Sequence, residues 1–363
     1  MSQKLYFPEE ELSIKAKFER MSKSLLLFAS IVVCIGTVML YSSAGGQLVP
    51  WAGAHFIRYC VALIICLAIT MVPIRWIYKP AYLIHIITIL LLIATALFGD
   101  TSKGAERWLN LGIVRLQPSE LAKISTIVAL GRFFHEGYKF RFAPIYMVSV
   151  PMLIIVIPTI LILKQPDLGT SLLLIFAGIT VMFCAGLDWR LFAGGGIAAL
   201  SALPFIWLGM KPYQKRRVLT FLDPESDPLG AGYHIAQAKI AMGSGGITGR
   251  GFMNGPQSML EFLPEKHTDF AFTAYAEQFG FIGSLILLSL FAVIIFIMIM
   301  MAVRTRHIFG KLLIIGLTTN FFFYVFINMA MVMGLIPVVG VPLPLMSYGG
   351  TVMISIFIAF GIA

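Results

Sequence analysis

The stretch that decides the fold is RWLNLGIVRLQPSELAKISTIVALGRFF, residues 107–134, in which a polar segment leads directly into an apolar helix. Pro118 and Glu120 stand at positions typical of the first turn of a helix. Lys123 follows Glu120 by three residues, so both side chains lie on one face and can pair. Ionisable groups inside a membrane are expensive and are usually functional. The stretch therefore predicts a helix that enters a membrane with a charge pair; its simpler interpretation is a pair that only lowers the cost of burial.

The composition of the whole chain also indicates a protein embedded in a lipid bilayer. Of 363 residues, 59% are hydrophobic and 12% are charged, and the mean hydropathy is +0.90. Soluble domains carry roughly 45–50% apolar and about 25% charged residues. We therefore predict an all-α, polytopic integral membrane protein with about ten transmembrane helices, each about 20 residues long. The apolar runs are 24–44, 54–73, 80–98, 118–134, 143–163, 168–187, 191–210, 270–303, 308–336 and 350–363.

The distribution of charge predicts the topology. The net charge is +10, but the basic residues are spread singly or in small groups between apolar runs, so nucleic acid is excluded as a partner. Placing residues 1–23 in the cytoplasm puts the Lys and Arg of the short loops, such as Arg75 and Arg132, on the inner side. Residues 24–363 then form one transmembrane domain, with both termini cytoplasmic and one long extracytoplasmic loop at about 211–269.

Four polar segments share the predicted outer face: 99–117, 164–167, 211–269 and 337–349. Each has a structural interpretation beside a functional one. Asp167 precedes a helix and is a natural N-cap. Thr268 or Asp269 is placed to cap the helix that follows. The prolines of 337–349 prevent a regular helix, and irregular backbone at membrane depth must be covered by protein or line a cavity.

Two weaker signals can be set aside. The glycines of GSGGITGRG, residues 243–251, resemble a phosphate-binding loop, but no strand precedes them and no Lys-Ser or Lys-Thr follows. They indicate tight turns near a bound headgroup or a partner. His234 and His267 have no ligand spacing, and the four cysteines lie in apolar runs, so a structural zinc site is not expected.

At these segments the chain resembles the SEDS (shape, elongation, division and sporulation) family of polytopic peptidoglycan polymerases. The matching stretches, in family order, are RWLNLGIVRLQPSELAK, QPDLGTS, GAGYHIAQAKIAMGSGG, FLPEKHTDFAF with EQFGFIG, and GLIPVVGVPLPLMSYGGT. The third and fifth look more like the members that act in cell elongation than those of division. The resemblance implies polymerisation of lipid II into glycan strands in the bacterial cytoplasmic membrane, with the active site outside the cell. It also implies a class B penicillin-binding protein as transpeptidase partner.

The resemblance also assigns roles to residues. Asp269 corresponds to the family's essential aspartate, and we expect it to be the general base for the acceptor hydroxyl. Arg107, Arg115 and Lys123, with Glu120 as structural partner, correspond to the charged groups expected at the lipid II pyrophosphate. Other predicted headgroup contacts are Arg58 and Lys239, and predicted supporting residues are Asp167, Glu265, His267 and Ser347. No cofactor is indicated with certainty, and a divalent cation, Mg²⁺ or Mn²⁺, stays open.

Two other functions share some of these features. A lipid II flippase would use the same substrate and cations, but it would need polar groups through the full membrane depth and two access states. A non-catalytic scaffold for a penicillin-binding protein would leave the carboxylates and cations of the outer face unexplained. Their concentration on one face favours a glycosyltransferase.

Overall fold

The computed structural model describes residues 21–102, 105–110, 115–140, 142–210, 212–223, 230–259 and 267–363. Within these ranges, each of the ten predicted apolar runs forms a helix. These helices are α1 Lys23–Ser43, α2 Gly53–Met71, α4 Ala81–Phe98, α5 Pro118–Phe140, α6 Pro144–Lys164, α7 Leu168–Cys184, α8 Trp189–Gly209, α12 Ala271–Arg304, α13 Ile308–Val332 and α14 Gly350–Ile362. The shorter elements are a π-helical turn Leu48–Ala52, helices α3 Ile74–Tyr78, α9 Pro212–Leu222, α10 Ala231–Gly245 and α11 Pro256–Met259, and strands β1 Asp100–Ser102, β2 Ala105–Asn110 and β3 Arg115–Leu116.

The helices have the length and composition of membrane spans. In the described part of the chain, seven helical segments are at least 18 residues long and apolar enough to cross a membrane, while α7 and α14 are shorter apolar helices. Helix α5 has 23 residues but carries buried charges. The predicted all-α polytopic membrane fold is therefore confirmed.

The segment between α4 and α5, predicted as a loop, contains short strands. They form an antiparallel sheet in the order β1, β2, β3, with Thr101 opposite Glu106 and Leu109 opposite Leu116. Pairing between the strands provides hydrogen-bond partners for backbone groups that lie outside any helix. Sequence inspection missed the strands because each is only two to six residues long.

Helix α13 is the centre of the helical bundle. Its apolar window is 72% buried, more than that of any other candidate span in the described residues. It packs against α5, α7 and α12. Gly316 permits the close approach, because a Cβ added there would lie 2.8 Å from a methyl group of Val181 on α7. Small residues at such contacts are typical of helix packing in membranes.

Helix α12, predicted as one long apolar run, is interrupted at Gly280. This residue has φ 64° and ψ −159°, a conformation accessible essentially only to glycine. The amides of Phe281 and Ile282 accordingly donate to the carbonyls of Gly246 and Ile247, at 2.9 and 3.1 Å. The glycines of residues 243–251 thus allow backbone to approach the interrupted helix.

The irregular segment 337–349 is enclosed by helices. Val341, Leu345 and Met346 are buried. On one side, α1 lies so close that a Cβ added to Gly36 would be 2.7 Å from the Cα of Met346. The segment is therefore covered by protein, as irregular backbone at membrane depth must be.

We predict that Gly280→Ala lowers the melting temperature of the detergent-purified protein by several degrees. The backbone conformation alone costs a non-glycine residue about 1–3 kcal/mol, and the added Cβ would lie 2.7 Å from the Ile247 carbonyl oxygen. The matched control is Gly195→Ala in α8, where an added Cβ meets nothing within 4 Å. Equal melting temperatures for the two variants would contradict this account of the interruption.

Candidate active site

A buried ion pair lies in the first turns of α5. Lys123 Nζ is 2.8 Å from Glu120 Oε1, and the two residues are only 1% and 2% exposed. The Tyr324 hydroxyl of α13 donates to Glu120 Oε1 at 2.6 Å and also accepts from the Lys123 ammonium. Ser355 of α14 donates to Glu120 Oε2 at 2.8 Å. Both carboxylate oxygens and the ammonium are thus bonded, and three helices meet at this point.

This arrangement bears on the roles predicted for the pair. Glu120 lies in the first turn of α5, and its carboxylate contacts Lys123, Tyr324 and Ser355. The Lys123 ammonium is enclosed, bonded to Glu120 and Tyr324, and lies 4.1 Å from the centre of the Tyr324 ring. Contact between Lys123 and a pyrophosphate stays a prediction, and it would require the enclosed ammonium to become accessible.

Asp167 occupies the N-cap of α7. Its Oδ1 accepts from the Thr170 amide at 3.2 Å and its Oδ2 accepts from the Thr170 hydroxyl at 2.9 Å. The Gln117 side-chain amide is 3.5 Å from Oδ2. The capping interpretation of Asp167 therefore holds, and the same carboxylate adds negative potential near Lys123.

Asp269 lies in the turn before α12. The N-cap position belongs to Phe270, whose side chain makes no capping hydrogen bond. Asp269 is half-buried, and its Oδ2 would be 3.7 Å from a Cβ added to Gly340. The carboxylate therefore lies against segment 337–349.

Contacts of Arg58 and Trp51 connect the beginning of α2 with two other parts of the chain. These are Tyr348 of segment 337–349 and His267, which precedes Asp269 by two residues. Arg58 donates to the Tyr348 hydroxyl at 2.8 Å and lies 4.2 Å from the centre of its ring. Trp51 stacks on His267 with ring centres 4.5 Å apart and contacts the Tyr348 ring edge-on. The Tyr348 amide donates to the His267 carbonyl at 2.8 Å. Arg58 thus orients Tyr348, while the supporting role of His267 and the headgroup contact of Arg58 stay predictions.

Ser347 and Lys239 take different positions. The Ser347 hydroxyl accepts from the Leu343 amide at 2.9 Å, and the Ser347 amide donates to the Leu343 carbonyl at 3.0 Å, so Ser347 closes a turn. Lys239 of α10 extends to the end of α13, where a Cβ added to Gly334 would lie 2.9 Å from Nζ. Lys239 is exposed, so its ammonium is accessible to a ligand.

Three predicted residues cannot be compared in this way. Glu265 lies outside the described residues, and Arg107 and Arg115 lie on β2 and β3 with side chains outside the described part.

A divalent cation would need several oxygen ligands. The residues that the structure describes contain no cluster of three His, Cys, Asp or Glu side chains that could hold one. A divalent cation therefore stays an open prediction.

Tyr324, Asn328 and Ser355 were missed by sequence inspection. They lie within apolar runs and carry no charge. A detectable signal existed: Asn320, Tyr324 and Asn328 are spaced by four, which places polar groups along one side of an otherwise apolar helix.

The fold and this cluster define a polytopic membrane protein with a polar site at one end of its helices. A family model described as "Cell cycle protein", which covers FtsW, RodA and SpoVE, matches residues 22–363. The chain belongs to this family, the SEDS proteins.

The relatives extend over nearly the whole chain. Peptidoglycan glycosyltransferase MrdB of Escherichia coli K12 is 43% identical over 340 residues, 93% of this chain and 91% of that protein. A probable peptidoglycan glycosyltransferase FtsW of Geobacter metallireducens is 34% identical, covering 97% of this chain and 96% of its own length.

Solved structures agree with this assignment. One, reported under "Structural coordination of polymerization and crosslinking by a peptidoglycan synthase complex", has a TM-score of 0.82 at 29% identity and covers 94% of this chain and 96% of its own. The rod shape determining protein RodA of Thermus thermophilus has a TM-score of 0.68 at 26% identity, covering 94% of this chain and 95% of its own.

We predict that Glu120→Ala strongly destabilises the protein, by about 3–5 kcal/mol, because it leaves a buried ammonium without its counter-ion. The double variant Glu120→Met/Lys123→Met should recover most of the melting temperature, since it buries no charge. Glu136→Ala is the matched control, because it breaks the Arg132–Glu136 pair, whose side chains are each 21% exposed. A double variant as unstable as Glu120→Ala would contradict the proposed origin of the loss.

Proposed function

We propose that this chain is a peptidoglycan glycosyltransferase that polymerises lipid II into glycan strands during cell elongation and releases undecaprenyl pyrophosphate. Support comes from membership of the SEDS family and from relatives that carry the name peptidoglycan glycosyltransferase. The observation that carries the proposal is the Asp269 carboxylate, which is half-buried just before α12 and lies against Gly340 of segment 337–349.

The chemistry requires a base and an electrostatic clamp. The acceptor hydroxyl oxygen attacks the anomeric carbon of the donor sugar, and its proton passes to the Asp269 carboxylate. The bond from the anomeric carbon to the phosphate oxygen breaks, and the pyrophosphate leaves with the electron pair. A carboxylate acting as general base contributes about 10²–10⁴-fold. Cations facing the leaving group stabilise the developing charge.

Five cationic residues are proposed for the clamp. Arg107 and Arg115 lie on the small sheet that leads into α5, next to the Glu120–Lys123 pair. Guanidinium groups bind phosphate oxygens in a bidentate manner. Lys239 adds an accessible ammonium at the end of α13, and Arg58 adds a guanidinium beside Tyr348. Lys123 contributes through its field unless it separates from Glu120.

We propose the orientation of the chain in the membrane from the charges at the two ends of α5. Glu120 and Lys123 lie near its start, and Arg132 lies near its other end, in a helix of about 35 Å. Arg132 donates to the carbonyls of Tyr78 and Lys79 at the end of α3, just before α4. The positive-inside tendency places this basic end in the cytoplasm. Both termini are then cytoplasmic, and Asp269 faces the outside of the bacterial cytoplasmic membrane.

A partner follows from the same chemistry. The similar solved structure is named for polymerisation and crosslinking by a synthase complex. A glycan polymerase alone makes no crosslinks, so we propose a class B penicillin-binding protein as the transpeptidase that acts on the strands this chain makes.

Polar groups at other depths of the helical bundle give little support to the flippase alternative. His85, Thr88 and Ser125 contact one another, with Thr88 and Ser125 hydroxyls 2.7 Å apart. Arg132 and Glu136 pair beside Tyr82. Each set joins neighbouring helices, which is typical of polar contacts in membrane bundles.

We predict that Asp269→Asn makes essentially no glycan while inserting, folding and binding lipid II normally, because an amide cannot accept the proton. The measurement is a gel of labelled products from purified protein, with and without the penicillin-binding protein. Asp188→Asn is the matched control, an exposed aspartate that accepts from the Arg190 amide at the start of α8. Polymerisation by Asp269→Asn above about a tenth of the wild-type rate would remove the base assignment. Transport of lipid II without any ladder would favour a flippase.

We predict that Arg107→Ala and Arg115→Ala each raise the lipid II concentration needed for half-maximal rate by about tenfold, because a charge-assisted contact to the pyrophosphate is lost. The melting temperature should stay within the range of Arg190→Ala, a control at the opposite end of the helices. Unchanged concentration dependence in both variants would exclude these arginines from the clamp.

A further inference from the structure

Asn328 of α13 holds two distant segments with one amide group. The residue is fully buried, and its Nδ2 donates to the Asp269 carbonyl at 2.9 Å and to the Val341 carbonyl at 2.7 Å. A primary amide nitrogen carries two hydrogens, and both are used. Because carbonyl oxygens accept and do not donate, these two contacts also fix which way the amide points.

The amide oxygen of Asn328 destabilises the folded protein. Asn328 Oδ1 is buried and has no hydrogen-bond partner among the described residues. Burying an unpaired oxygen is unfavourable, and an apolar side chain of similar size would avoid it. The presence of an asparagine is therefore better explained by what its nitrogen holds than by a contribution to stability.

The two carbonyl groups that accept from Asn328 lie on two sides of the site at Asp269. One accepting carbonyl belongs to Asp269 itself. The other belongs to Val341, the residue after Gly340, against which the Asp269 carboxylate lies. An aspartate side chain has only two rotatable bonds, so fixing its backbone and the opposite wall leaves the carboxylate little freedom.

Along helix α13, Asn328 lies close to the residue that bonds the Glu120–Lys123 pair. Tyr324, which bonds Glu120 and Lys123, precedes Asn328 by four residues, or about 6 Å along the axis on the same side of the helix. The position of Asn328 is therefore fixed by a buried network in which Glu120, Lys123 and Tyr324 bond one another.

From these contacts we propose that Asn328 is a positioning residue for the glycosyl transfer, which holds the Asp269 backbone against segment 337–349 so that the carboxylate meets the acceptor hydroxyl. The inference rests on the proposed function, in which Asp269 is the base. Asn328 does not touch the substrate, so its loss should change the rate of the chemical step and leave binding of lipid II intact.

The test compares Asn328→Leu with Asn320→Leu in the purified full-length protein, using lipid II and the penicillin-binding protein. Asn320 is a matched control on the same helix, also buried and with an unpaired Oδ1, but with no bond to the site in the described residues. We expect kcat of Asn328→Leu to fall 10- to 100-fold with KM within about twofold, since small displacements of a catalytic group cost up to about 10² in rate. Asn320→Leu should keep the wild-type kcat.

A conservative variant separates positioning from packing. Asn328→Gln keeps the amide donors and should recover part of the lost kcat, whereas a residue needed only for packing would favour Leu over Gln. If Asn328→Leu does not fold, Asn328→Ser serves in its place, because it removes one of the two donors with a smaller change in polarity. A wild-type kcat in a folded Asn328→Leu or Asn328→Ser protein, or a change confined to KM, would overturn the inference.

Asp269→Asn in the same assay keeps the two proposals apart. An active Asp269→Asn variant removes the base and with it the reason for positioning. An inactive Asp269→Asn variant beside a fully active Asn328→Leu variant overturns the role of Asn328 alone.

Discussion

The structure depends on the requirement that the Lys123 ammonium, buried at membrane depth, have a counter-ion. Glu120 supplies it from the same helix, and Tyr324 and Ser355 complete the bonding from α13 and α14. An ionised group left without a partner in the interior costs several kcal/mol. The three helices therefore have one favourable arrangement at this end of the bundle, and every element of the site is attached to one of them.

Helix α13 transmits this arrangement to the reacting group. Its polar face bonds the ion pair through Tyr324 and the backbone of the two flanking segments through Asn328. Segment 337–349 is irregular and would be a poor support by itself, but helices enclose its apolar side chains, and the Ser347 turn closes it. A half-buried carboxylate between such walls is suited to remove a proton from a bound sugar, because its surroundings need little rearrangement.

Much of this was predictable from sequence, and the remainder has a common cause. The ten helices, the Glu120–Lys123 pair and the Asp167 cap follow from local patterns of apolar, charged and capping residues. Tyr324 and Ser355 are separated from Glu120 by 204 and 235 residues, so no local pattern connects them. The interruption at Gly280 looks like uniform apolar helix in sequence, since the residues that pair with it lie in a distant glycine-rich turn. Sequence alone also suited Asp269 to cap α12, and its contact with Gly340 joins residues that are distant in sequence, so no local pattern could predict it.

The central claim is that Asp269 meets the acceptor sugar. The most direct measurement is an electron cryomicroscopy map of the protein in lipid nanodiscs with a non-hydrolysable lipid II analogue. The account predicts an acceptor hydroxyl within about 3 Å of an Asp269 carboxylate oxygen, with the pyrophosphate on the side of β2, β3 and the start of α5. Sugar density at the opposite end of the helices, or a headgroup separated from Asp269 by segment 337–349, would contradict it.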